Sequence, residues 1–308
     1  MLRYFLTNLI LSSIVLLPIG PANESAPSVL RLNQLPLSAP ASVAVVPKKI
    51  KPENLGVKLA SASAVVLDQG SGQFLYQKNS NELLPLASIT KLMTAMVWLE
   101  QKIDPNQELE ILATDAREGG VAYLVPGEKI LLKDLLAASL IASANDATAS
   151  LVRSTGLTEV EFVAKMNNKA KELGLSQTYF TEPIGLNDKT VSTAREVSIL
   201  ALAAFGRAEI KNLVSRAEYE FKPSGKTARW LKNTNLLLGG FEGWPQELRV
   251  VGGKTGHLLE VGYNVVSAIA NQKGQQLIIV VLGAQTAEAR FQESKVLAYW
   301  TFNNYNWD

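Results

Sequence analysis

Strand-like segments stand at both ends of the folded part of this chain, and the stretch between them reads as helix. Residues 62–67 are an apolar, β-branched run, 68–72 are a turn, and 73–77 alternate, which is the pattern of a hairpin. Near the other end, 262–270 and 276–282 are strands divided by Asn271-Gln272-Lys273-Gly274, and 249–254 approach a third. Between these ends, 131–141, 146–153, 158–173 and 193–205 carry apolar residues at helical spacing, and 286–302 form a closing helix. Residues 88–100 are apolar on nearly every side, so they predict a helix buried all round. The economical solution is an α+β fold. One antiparallel sheet is built from both chain ends, helices pack on it, and a helical lobe is inserted between.

The catalytic fold is expected over residues 59–308, with two segments before it. Met1-Leu2-Arg3 followed by a mostly apolar run to Gly20 has the form of a secretory signal, with a small-residue site at Gly20-Pro21-Ala22. Residues 1–22 are therefore expected to export the chain to the periplasm or cell envelope. The alternative is an uncleaved N-terminal anchor that tethers it to a membrane, although the run is short for a span. Residues 23–58 are rich in Pro, Ala and Ser, show no sustained period, and read as a linker.

Two counts narrow the chemistry. The chain has no Cys and one His, His257, so thiolate nucleophiles, Cys-ligated zinc and multi-His metal sites are excluded. No metal and no cofactor is expected. Lys+Arg is 30 against Asp+Glu 28, a balance that gives no electrostatic footprint for nucleic acid. A hydrolase of this composition would draw its base from Lys, Glu or Asp.

Three short motifs supply candidates. Ser88-Ile89-Thr90-Lys91 opens the buried helix, and positions i and i+3 share a face, which brings the Lys91 amine toward the Ser88 hydroxyl. A serine hydroxyl becomes a useful nucleophile once a base takes its proton, and a buried, neutral lysine can be that base. Ser143-Ala144-Asn145 lies in a polar break between helices, where a hydroxyl can relay a proton and an amide can hold a carbonyl. Its plainer reading is a helix cap. Lys254-Thr255-Gly256 follows a glycine-rich strand, where Lys and Thr can bind a carboxylate and Gly lets a substrate backbone approach.

In this order, S-x-x-K, S-x-N and K-T-G are the signature of penicillin-binding proteins and serine β-lactamases. The segment Pro85-Leu86-Ala87-Ser88-Ile89-Thr90-Lys91-Leu92-Met93-Thr94-Ala95 resembles the active-site segment of low-molecular-mass penicillin-binding proteins, the D-alanyl-D-alanine carboxypeptidase family. Phe180 to Leu186, Ser192 to Arg195, Lys254 to His257, Gly262 to Val266 and Val281 to Ala284 resemble further segments of that family. The resemblance implies a β-lactamase/transpeptidase-like fold and a penicillin-sensitive serine carboxypeptidase. Such an enzyme removes the terminal D-Ala of peptidoglycan stem peptides and is covalently inhibited by β-lactams. It implies Ser88 as acylated nucleophile, Lys91 as its base, Ser143 as proton relay and Lys254 as a source of positive field. Asn145 would orient the acyl part of the substrate. The N–H groups of Ser88 and His257 would form the oxyanion hole beside Gly256. Thr255 and Arg290 would receive the terminal carboxylate, and Arg195 would add to the positive environment.

Leu258 departs from the family, which usually carries a small hydroxyl residue after the His. The layout, with Glu182-Pro183 in the central segment, also resembles the D,D-endopeptidase branch. A class A-like β-lactamase would need a deacylating Glu in E-x-x-L-N, whereas Glu182, Leu186 and Asn187 are spaced one residue too long. A non-catalytic muropeptide or penicillin sensor would more naturally have lost Lys91 or Lys254.

Overall fold

The structure, a computed structural model, describes residues 45–54, 56–120 and 123–308. The segment read as signal or anchor, and the linker as far as residue 44, lie outside the described residues.

Five strands form one antiparallel sheet: β1 (Ser63–Asp68), β2 (Phe74–Lys78), β3 (Leu248–Leu258), β4 (Gly262–Asn271) and β5 (Gln276–Ala284). Their order is β3-β4-β5-β1-β2. The early hairpin is thus joined to the three late strands through β5 and β1, with Leu277 opposite Asp68 and Leu282 opposite Ser63. This is the sheet expected from the two chain ends.

Its central strands are apolar on both faces because both faces are covered. Val65, Leu67, Val266, Ala268, Ile278, Val280 and Leu282 enter the core on the side of the helical lobe. Their alternates Ala64, Val66, Val265, Ile269, Leu277, Ile279 and Val281 pack with Phe291, Leu297 and Ala298 of the closing helix.

The lobe comprises α1 (Lys91–Glu100), α2 (Leu132–Ile141), α3 (Asn145–Ser154), α4 (Glu159–Glu172), α5 (Ala194–Phe205) and α6 (Ala208–Val214), and α7 (Ala287–Asn304) closes the chain. As expected, α1 is buried on all sides from Lys91 to Trp98. Thr158, Thr193 and Thr286 accept hydrogen bonds from the Glu161, Glu196 and Ala289 amides, capping the starts of α4, α5 and α7. Among the described residues, no helix is long and apolar enough to cross a membrane.

Two features differ from the sequence reading. Residues 48–58 were expected to be linker, yet Lys48–Lys49 pairs with Tyr305–Asn306. Asn54 also bonds Asn304 at 2.6 Å and the Trp300 indole at 3.1 Å. The C-terminal residues hold this segment, so its composition gives no local sign of order. A hairpin of Glu218–Phe221 with Arg229–Lys232 was not expected at all.

Asn264 of β4 fastens the sheet to the segment before Ser88. Its amide donates to Pro85 O at 2.9 Å and accepts from Gly283 N at 2.8 Å, fully buried. Asn264→Ala would leave these groups unpaired and should cost about 2–4 kcal/mol, at ~1–3 kcal/mol per orphaned buried group. The midpoint of urea unfolding checks this, and an unchanged midpoint would contradict it.

Candidate active site

Ser88 lies in a 3₁₀ turn, Ala87–Thr90, just before α1. In a 3₁₀ turn side chains at i and i+3 eclipse. That geometry sets Lys91 Nζ 2.8 Å from Ser88 Oγ. Lys91 Nζ also donates to Asn145 Oδ1 and to the Ile184 carbonyl, both at 2.9 Å. The Asn145 oxygen is fixed in place because its Nδ2 donates to Glu118 O at 2.9 Å and Gly119 O at 3.0 Å.

With two fixed acceptors holding two N–H bonds, the third tetrahedral position of Nζ faces Ser88. In the charged amine that position is an N–H; in the neutral amine it is a lone pair aimed at the hydroxyl proton. Complete burial pushes Lys91 down to about 7, against the upward pull of the Glu182 and Asp146 charges. The neutral form is therefore accessible near neutral pH.

Lys254 Nζ donates to Ser143 Oγ at 2.8 Å and to Thr255 O at 3.0 Å. Burial, and then the Lys91 and Arg290 charges, hold it well below the ordinary lysine value. Ser143 adopts φ 59, and Ala87, just before Ser88, adopts φ 50. A left-handed conformation in a non-glycine residue stores roughly 1–3 kcal/mol of strain, and both sit beside the lysine-bonded hydroxyls.

Two glycines surround the Ser88 amide. A Cβ on Gly185 would lie 1.9 Å from Ala87 O, and one on Gly256 would lie 2.8 Å from Leu86 O and 3.2 Å from Ser88 N. Gly256 belongs to β3, an edge strand, so the K-T-G motif runs along the turn that carries Ser88. Glu182 organises the other wall. Its carboxylate accepts from the amides of Ile184, Gly185 and Leu186 at 2.7, 2.6 and 2.8 Å. It thereby shapes the loop whose Ile184 carbonyl holds Lys91.

These elements enclose a cleft of ≈ 820 Å³ lined by Ser88, Ser143, Asn145, Gly185, Thr234, Thr255, Gly256, His257, Leu258 and Arg290. Arg290 Nη1 donates to Gly256 O at 3.2 Å, while its Nε is buried without a partner. Burial lowers this guanidinium to about 10. The His257 ring stacks on Tyr263 at 4.2 Å, so its side chain is committed to that ring.

Nine of the ten residues singled out in the sequence thus converge, with Lys91 and Lys254 buried behind the cleft surface. Arg195 does not. Its guanidinium lies 3.9 Å over the Phe74 ring and donates to Gln77, both of β2, so it is packed against the sheet and does not line the cleft. Asn145 also differs from expectation, because both of its N–H groups are taken by the 118–119 backbone. The sequence reading missed Ile184, whose contribution is a backbone carbonyl and carries no side-chain signature. It also missed Thr234, where only the tripeptide Asn233-Thr234-Asn235 offered a sign.

Residues 48–286 match the model of the peptidase S11 family, described as D-alanyl-D-alanine carboxypeptidase. The D-alanyl-D-alanine carboxypeptidase DacF of Bacillus subtilis is 34% identical over 249 residues, covering 79% of this chain and 62% of its own length. The D-alanyl-D-alanine endopeptidase of Pseudomonas aeruginosa is 33% identical over 270 residues, covering 86% of this chain and 85% of its own. The crystal structure of the Streptomyces K15 DD-transpeptidase superposes with a TM-score of 0.73 at 26% identity, over 80% of this chain and 99% of that one.

Proposed function

Because the chain belongs to the S11 family of D-alanyl-D-alanine carboxypeptidases, we propose that it is a serine D,D-carboxypeptidase that trims the terminal D-Ala from peptidoglycan stem peptides. The observation that carries this reading is the Lys91 amine, held by two acceptors with its third position on Ser88 Oγ.

Neutral Lys91 takes the Ser88 proton as Oγ attacks the carbonyl carbon of the penultimate D-Ala. The Ser88 and His257 N–H groups receive the developing oxyanion. The C–N bond then breaks, and Ser143, bonded to Lys254, passes a proton to the leaving nitrogen. D-Ala departs, and water releases the acyl group from Ser88 by the reverse proton path. Lys254, Thr255 and Arg290 attract the terminal carboxylate to one end of the cleft. β-Lactams, acylating Ser88 in the same way, would be covalent inhibitors. The 1–22 segment would export the chain or tether it to a membrane.

A second reading is the D,D-endopeptidase, with the same chemistry on a cross-linked peptide. It is supported by the Pseudomonas relative named D-alanyl-D-alanine endopeptidase, 33% identical over 270 residues. The purified full chain should release D-Ala from a pentapeptide muropeptide, seen by mass analysis. Cleavage of a cross-linked dimer alone would replace the main reading with the second, and no product from either would overturn both.

A further inference from the structure

Resting on the D,D-peptidase reading, we propose that Thr234 supplies the hydroxyl that receives the substrate's terminal carboxylate, standing in for the hydroxyl that Leu258 lacks. Thr255 Oγ1 donates to Thr234 Oγ1 at 2.6 Å. A hydroxyl carries one proton, so the proton of Thr255 is spent on Thr234 and the one left to donate belongs to Thr234. Thr234 is half-buried in the wall of the cleft that Arg290 also lines. Arg290 places a cationic guanidinium at that same cleft, with its Nη1 donating to Gly256 O at 3.2 Å and Asn264 O at 3.4 Å.

The position of Thr234 is fixed by its neighbours. Its own amide donates to Ile141 O at 3.1 Å. On one side Asn233 donates to Arg216 O at 2.8 Å and accepts from Asn235 N at 2.8 Å. On the other Asn235 accepts from Leu237 N at 3.2 Å and donates to Ser267 Oγ at 3.3 Å. Both asparagines are buried, while the threonine between them faces the cleft. Leu258 lines the same cleft with an apolar side chain that has no proton to donate. The Thr234–Thr255 hydroxyl pair, on the cleft that Arg290 also lines, is a built feature that matches a carboxylate.

The test compares two pentapeptides on the full chain, one ending in a free D-Ala carboxylate and one ending in its amide. Wild type should prefer the carboxylate in kcat/KM. Thr234→Val should reduce that preference roughly 10- to 100-fold, the worth of one hydrogen bond to a charged group. Thr234→Ser should keep the preference, and Leu258→Thr added to Thr234→Val should restore part of it. Thr234→Ala serves equally if the valine variant does not fold. A wild-type preference in Thr234→Val or Thr234→Ala would overturn the inference, and failure of the Leu258→Thr rescue would overturn the stand-in relation. A wild type that cleaves neither peptide would instead sink the carboxypeptidase reading on which the inference rests.

Discussion

Replacing Lys91 with methionine should slow acylation of Ser88 by a fluorescent penicillin about 10²–10⁴-fold, the range of a positioned general base. The substitution fills similar volume but removes the amine that faces Ser88 Oγ at 2.8 Å. Ser88→Ala gives the zero of the assay, since it removes the acylated atom. The same geometry fixes the pH response of the unaltered protein. Below about 7 Lys91 is protonated and presents an N–H to Ser88. As pH rises through that value a lone pair takes its place, so the acylation rate should climb with pH. Lys254 is also held below its ordinary value, and loss of its charge would reduce the field that draws anionic substrates at higher pH. The measurement is the rate of label uptake between pH 5 and 9. A Lys91→Met protein that labels at the wild-type rate, or a rate that falls as pH rises through 7, would remove Lys91 from the base role.

Gly185→Ala should be as damaging with no polar group lost. Gly185 adopts φ +88, and its added Cβ would lie 1.9 Å from Ala87 O and 2.9 Å from Ser88 N. Those atoms are backbone and cannot swing aside. The left-handed conformation itself costs about 1–2 kcal/mol for an L-residue, and relieving the overlap adds about 1–3 kcal/mol. Relief would also move the loop that Glu182 holds, and with it the Ile184 carbonyl that orients Lys91. The expected outcome is a loss of about 2–5 kcal/mol in urea unfolding together with loss of penicillin labelling. Full labelling at an unchanged midpoint would show that the turn and loop are not packed as described.

Much of this site could be read before the structure was known, and the reason is local. Ser88 and Lys91 are one turn apart, Ser143 and Asn145 flank a helix start, and Lys254 to His257 run along one strand. Short spacings of chemically distinctive side chains survive as sequence patterns. What escaped is what depends on distant chain. The Ile184 carbonyl is ordinary backbone until folding brings it to Lys91. Thr234 gains meaning only when β3 places Thr255 beside it. Arg195 was misassigned because its sequence neighbours resemble site residues, while its guanidinium stacks on Phe74, far back in the chain. Glu182, spaced one residue too long for a deacylating carboxylate, is occupied by three backbone amides. The fold was legible for a related reason. Strand runs and helical periods are local, whereas the pairing of Lys48–Lys49 with Tyr305–Asn306 is not.

The pairing of β1 with β5 has a consequence for how the molecule comes into being. Its first core strand pairs at once with β2 but can find its second partner only after residues 276–284 have been synthesised. Until then a nascent chain holds Ser88 and Lys91 but lacks β5, Arg290 and the α7 cover on one sheet face. Closing so long a loop carries an entropic penalty that nearby contacts cannot offset, which makes sheet completion a late step. Ser88 is therefore present from early in synthesis, while Thr255 and Arg290, which line the same cleft, arrive with the last part of the chain. The cleft of a protein built this way is closed only when its late strands and α7 are in place.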